Sequence, residues 1–222
     1  MEHPMAWFRY FIELYFVGVA KILPIVNPFS TIPLLLALTP GGSRESRARE
    51  ARRSSTFASL ILIGALFIGS LVIEFFGISL QALRIAGGLV ISIIGLRMLF
   101  PGPEASTVAD PLGGQGAMDI ALIPLAMPSL SGPGSIAVVI TESTMIFAQK
   151  GIALKALGLG AAVASIVTVG AVSWLVLRSS NRIAMHLGDH GIESIKRSMG
   201  FLLICIGVQY IASGIQQFFG IA

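Results

Sequence analysis

Two short windows hold the residues of this chain best suited to binding chemistry. The first reads Leu23-Pro24-Ile25-Val26-Asn27-Pro28-Phe29-Ser30-Thr31-Ile32-Pro33, the second Ile123-Pro124-Leu125-Ala126-Met127-Pro128-Ser129-Leu130-Ser131-Gly132-Pro133, with Gly134 just beyond. Asn27, Ser30 and Thr31 supply an amide and two hydroxyls, and Ser129 and Ser131 supply two more. A proline within a helix removes one backbone donor and clashes with the carbonyl one turn earlier. Breaks of this kind free main-chain groups. Amides at a half-helix N-terminus face an anion, and released carbonyls hold an ammonium group or a cation. Such a pocket suits a small zwitterion. Asn27, Pro28, Ser30, Thr31, Ser129, Ser131, Gly132 and Gly134 therefore form the candidate substrate-binding set. The glycines let the backbone approach a ligand closely.

Other chemistries find little support. There is no G-x-S-x-G elbow, H-E-x-x-H or P-loop, so no enzyme activity or nucleotide-driven pumping is expected. His186 and His190 have metal-compatible spacing around Asp189, but they lack a third ligand and read as solvated. No metal or cofactor is expected. The lone Cys205 cannot form an intrachain disulfide.

The elements that must position the two windows are membrane helices. Of 222 residues, 55% are hydrophobic and 12% charged, against about 25% charged in an ordinary soluble domain; the mean hydropathy is +0.86. The net charge of +4 does not point to nucleic acid, because the basic residues flank apolar runs. About 20 apolar residues cross a bilayer. Six spans are expected: Tyr10–Leu38, Thr56–Phe76, Leu83–Phe100, Ile120–Ile140, Ile152–Leu177 and Met199–Phe219. No cleavable leader is expected, because Glu2, His3, Arg9 and Glu13 interrupt the first twenty residues.

The spans fall into two related halves. All three prolines of the first window recur at an offset of 100, and Arg84, Gly88 and Gly95 match Lys196, Gly200 and Gly207 at an offset of 112. The chain divides into a first repeat at 1–100, a Gly/Pro-rich linker at 101–118 and a second repeat at 119–222. Three spans per half force the second half to insert upside down. The expected fold is thus all-α and polytopic, two inverted three-helix repeats with helices one and four broken, an architecture of secondary transporters. The breaks survive in hydrocarbon only where protein or a water-filled cavity satisfies them.

Charge sets the orientation. One face carries Arg9, Arg84, Lys150 and Lys155; the other carries ten cations, including Arg44, Arg47, Arg49, Arg52 and Arg53. The richer face belongs in the cytoplasm and both termini outside; the arginine cluster is read chiefly as this signal. Lys21, within the first span, either snorkels or pairs with Glu13. Thr39, Thr141, Glu74 and Glu142 fall near span ends and read as interfacial, which leaves no carboxylate squarely within a span. That weakens a proton relay and leaves sodium open; coupling to Na+ or H+ is undetermined.

Several segments together resemble the MarC family of bacterial inner-membrane proteins: Ile22 through Pro28, Leu83 through Leu89 and on to Pro101, Pro124 through Pro128 followed by Ser131-Gly132-Pro133-Gly134, and Gly191 through Leu203. The resemblance covers nearly the whole chain. It implies six spans in two inverted repeats, an inner-membrane location, and kinship with transporters and exchangers of small neutral amino acids such as glycine and alanine. The family's NP and GPG motifs fall on Asn27-Pro28 and Gly132-Pro133-Gly134. The expected partners are a small neutral amino acid and the lipid bilayer. The competing reading is a non-transporting membrane scaffold or stress-linked interaction protein.

Overall fold

The computed structural model describes residues 4–100 and 120–220, so the linker expected at 101–118 lies outside the described residues. The described chain is helical throughout. In order it forms α1 (Pro4–Val26), α2 (Pro28–Leu38), α3 (Arg44–Phe75), α4 (Leu80–Leu99), a broken segment (Ala121–Leu130), α5 (Pro133–Ala148), α6 (Ile152–Arg178) and α7 (Ser180–Phe219). Among the described residues five stretches are long and apolar enough to cross a membrane: Trp7–Leu38, Arg44–Phe75, Leu80–Leu99, Ile152–Arg178 and His190–Phe219. The broken segment and α5, bent by 65° at their junction, make a sixth if the pair counts as one span.

Local chemistry sets the ends of these elements. Ser43 caps α3, its hydroxyl accepting from the Ser46 amide at 3.1 Å, and Ser79 caps α4 by accepting from Ala82 at 3.2 Å. Gly188 breaks α7 near its start with φ 60 and ψ −178, leaving His186 and His190 exposed. Of the first window's three prolines, only Pro28 coincides with a break. Pro24 lies within α1 and Pro33 within α2.

The helices pack with identifiable direction. On α4 and α7 a Cβ at Gly88 would lie 2.5 Å from the Gly207 carbonyl oxygen, and one at Gly95 would lie 2.6 Å from that of Gly200. The pairing order shows that α4 and α7 run antiparallel with backbones in contact, the close approach that small residues permit in membranes. Between α1 and α5, Tyr10 meets Gln149, Lys21 meets Glu142 and Ile25 meets Gly134, which is antiparallel again. Between α3 and α6, Ser59 meets Gly170 while Ala48 and Arg52 share a cleft with Trp174 and Arg178, also antiparallel. Leu35, Leu66, Leu125, Leu130 and Ile166 fill one core, and Ile91, Val138 and Leu203 fill a second. Large apolar side chains such as Phe16, Leu60, Leu71 and Phe201 cover the outside, as lipid contact requires.

Several expectations need correction. Glu142 is not interfacial: α5 continues to Ala148, and Glu142 pairs with Lys21 of α1 at 2.5 Å. Lys21 therefore does not pair with Glu13, which is exposed. Arg84 is not a loop charge; it lies within α4 and is 8% exposed. Thr39 and Thr141 are both buried; Thr39 stands at the end of the first span, as expected, whereas Thr141 lies within α5. Arg47, grouped with the topology-setting arginines, also joins three elements: it donates to the Thr39 carbonyl and hydroxyl and to Asn181 of α7.

Candidate functional site

The break between α1 and α2 follows from its dipeptide. A residue before proline is pushed out of the α region, and Asn is among the few residues that tolerate left-handed geometry. Asn27 sits there with φ 40 and ψ 73. Pro28 then opens α2, where its missing donor costs nothing and its fixed φ is already helical. In the second half the same effect acts twice more. Ile123 and Met127, each before a proline, are extended, with φ −128 and −126. Ser131 and Gly132 complete the break, and Pro133 opens α5.

The two helix starts share a local device. Asn27 and Gly132 stand at the N-cap of α2 and α5 with no side-chain cap, and each is followed by proline. The hydroxyl of Ser30 donates to the Asn27 carbonyl at 2.8 Å, and that of Ser135 donates to the Gly132 carbonyl at 2.9 Å. The correspondence runs at an offset of 105, from Asn27 to Gly132, not at the 100 that aligns the prolines. Ser135, 2% exposed, is thus a site residue that the proline alignment misses. Its signal lies in the parallel between Asn27-Pro28-Phe29-Ser30 and Gly132-Pro133-Gly134-Ser135.

The breaks lie against each other. Ile25 beside Gly134 and Thr31 beside Ser129 bracket them, so Asn27 and Gly132 lie between two chains running in opposite directions. The Thr31 and Ser129 hydroxyl oxygens are 2.7 Å apart. Asn27, Pro28, Thr31, Ser131 and Gly134 are buried, whereas Ser30, Ser129 and Gly132 are half-buried. Ser131 turns back on its own segment and donates to the Ala126 carbonyl at 2.8 Å. Gly132 is constrained sterically, because a Cβ there would lie 2.7 Å from the Pro128 carbonyl oxygen.

Asn27 has polar capacity that its surroundings do not use. Among the described residues its amide nitrogen reaches only the Met98 sulfur, at 3.9 Å, and its buried Oδ1 has no hydrogen-bond partner. An unpaired buried acceptor costs about 1–3 kcal/mol, so its retention calls for an explanation. Around it lie two helix N-termini with their positive dipole ends, the Thr31–Ser129 hydroxyl pair and glycine backbone. Chemically this arrangement can receive a small solute carrying both an acceptor and a donor. Among the described residues no group of acidic, histidine or cysteine side chains could hold a metal ion.

Comparison with known proteins places the chain firmly. Residues 12–219 match the family described as MarC family integral membrane protein. The inner membrane protein MarC of Escherichia coli O1:K1 / APEC is 40% identical over 207 residues, covering 90% of this chain and 93% of the relative. The proteins of the same name in Escherichia coli strain K12 and Shigella flexneri are 39% identical over the same coverage. No solved structure matches the chain.

Proposed function

The chain belongs to the MarC family of integral membrane proteins, and from that premise we propose that it is a secondary transporter or exchanger of small neutral amino acids. The observation that carries this reading is the juxtaposition of two uncapped helix breaks around the buried Asn27 amide oxygen, which has no partner among the described residues. Polar groups buried in an apolar bundle without partners are expensive, and a solute that supplies the missing hydrogen bonds offsets that cost. A carboxylate fits the N-termini of α2 and α5; an ammonium group fits the Asn27 oxygen and the hydroxyls.

The architecture supports movement as well as binding. We read the fold as two inverted three-span repeats. The span made of α1 and α2 opposes the span made of the broken segment and α5, α3 opposes α6 and α4 opposes α7, each span running against its counterpart in the other half. Exchanging the halves at the 112 offset turns the Gly88–Gly207 contact into Gly200–Gly95, which is also present. A pair of halves related this way has two equivalent arrangements, one open to each side, with the breaks at the pivot. On this reading the deep burial of Thr31 and Ser131 corresponds to a closed site. With no P-loop in the sequence, the reading is exchange or gradient-driven movement, with Na+ or H+ as the candidate coupling ions.

The relatives' names place them in an inner membrane, and we assign this chain to the same location. Both termini lie outside, on the charge argument; removing the buried Arg84 from the poorer face strengthens that bias. A C-terminal phosphatase fusion, active only outside the cytoplasm, checks the orientation.

The transport reading is tested in proteoliposomes loaded with unlabelled glycine. Labelled glycine or alanine is expected to accumulate by saturable counterflow, while arginine and glutamate do not compete. Absence of counterflow by folded protein, for every small neutral amino acid, overturns the reading.

A further inference from the structure

A second polar site lies away from the breaks, in a cleft of about 180 Å³ between α1, α4, α5 and α7. Its lining includes Lys21, Arg84, Thr141, Glu142 and Tyr210. The charges there do not balance. Lys21 and Glu142 form an ion pair, which neutralises both, and Arg84 remains. Its guanidinium donates to the Met145 sulfur at 2.9 Å, and among the described residues no carboxylate pairs with it. A thioether is a weak acceptor, and a guanidinium cannot shed its charge. Arg84 is 8% exposed. A buried cation without a counter-ion is among the costliest arrangements in a membrane bundle.

We infer that this cleft is an anion site that takes the carboxylate of a small solute, with Arg84 as its principal ligand. Three features select that chemistry. The planar guanidinium fork matches a carboxylate in bidentate fashion. The volume corresponds to about six waters, enough for a carboxylate with a short substituent. The surplus is a single positive charge, and the neighbouring Glu142 disfavours a more highly charged anion such as phosphate. Lys21 and the Tyr210 hydroxyl stand ready as further donors on the lining. The inference does not depend on the transport reading, because none of the break residues lines this cleft.

Acetate is the probe, since it carries the carboxylate alone, and the Arg84 variants separate this cleft from the helix N-termini at the breaks. Thermal unfolding of the full chain in detergent is followed against sodium acetate, with sodium chloride at matched ionic strength and with inorganic phosphate. Acetate is expected to raise the midpoint saturably in the wild type and in Asn27→Gly. In Arg84→Gln the apparent affinity is expected to fall by about tenfold or more, the loss of one charge-assisted contact. Should Arg84→Gln not fold, Arg84→Lys keeps the charge without the fork and is expected to bind measurably more weakly. No saturable effect beyond chloride, or equal effects in wild type and Arg84 variants, overturns the assignment. A larger effect of phosphate than of acetate overturns the carboxylate assignment in favour of phosphate or a lipid headgroup.

Discussion

Asn27→Gly is expected to lower saturable uptake by about tenfold or more while leaving the protein folded. Glycine keeps the left-handed backbone at φ 40 that alanine would strain, so the substitution removes the carboxamide and little else. The direction of the stability change is diagnostic. A structural asparagine loses hydrogen bonds when truncated, and the fold weakens. Here, among the described residues, Oδ1 has no partner and Nδ2 touches only a sulfur at 3.9 Å. Removing an orphaned acceptor returns part of its burial cost of about 1–3 kcal/mol, against about 0.5–1 kcal/mol of added chain entropy from glycine. The unfolding midpoint is therefore expected to stay level or rise as counterflow falls. Full uptake in Asn27→Gly would remove the amide from the site.

Glu142→Ala is expected to destabilise the fold more than Asn27→Gly. It strands Lys21, and the cleft is left with two cations, Lys21 and Arg84, and no carboxylate. Removing one partner of a fully buried pair costs about 3–5 kcal/mol. The side chains of this pair are 35% and 25% exposed, which reduces the expected cost to about 2 kcal/mol by solvent screening. The double substitution Lys21→Met/Glu142→Met removes both charges at similar volume and is expected to recover most of the loss. Unfolding midpoints of wild type, Lys21→Met, Glu142→Met and the double variant form the cycle. Additive losses would show that the two residues do not act as a pair.

Much of the fold is readable from residues alone, and the gaps have physical causes. Hydropathy locates the apolar stretches because lipid imposes length and composition so strictly. The Asn27-Pro28 break is legible because one dipeptide both excludes helix before the proline and starts it after. The glycines at 88, 95, 200 and 207 stand out in sequence and lie where α4 and α7 touch. The register between the breaks is not legible. Proline alignment gives 100, but the extended residues Ile123 and Met127 shift the helix start to 105, and extension before a proline leaves no mark in a residue-by-residue match. The Lys21–Glu142 pair is hidden for another reason. Its partners are 121 positions apart, and Thr141-Glu142 resembles the polar end of an apolar run. Only the antiparallel seating of α5 on α1 reveals that the helix carries on and the carboxylate has a cation waiting. Arg84 misleads in the same way, because a charge near the end of an apolar run looks like part of a loop.

For solute to cross, the two breaks must move relative to each other. The Thr31 and Ser129 hydroxyl oxygens lie 2.7 Å apart across those breaks, within reach of a disulfide if both carry thiols. The decisive measurement is glycine counterflow by Thr31→Cys/Ser129→Cys in a Cys205→Ser background, before oxidation, after it and after reduction. The reduced protein sets the reference, with flux lowered by the loss of the two hydroxyls; no flux is expected once the bond has formed, and recovery to that reference when it is broken. Undiminished counterflow through a protein whose cross-link is complete would contradict movement at the breaks.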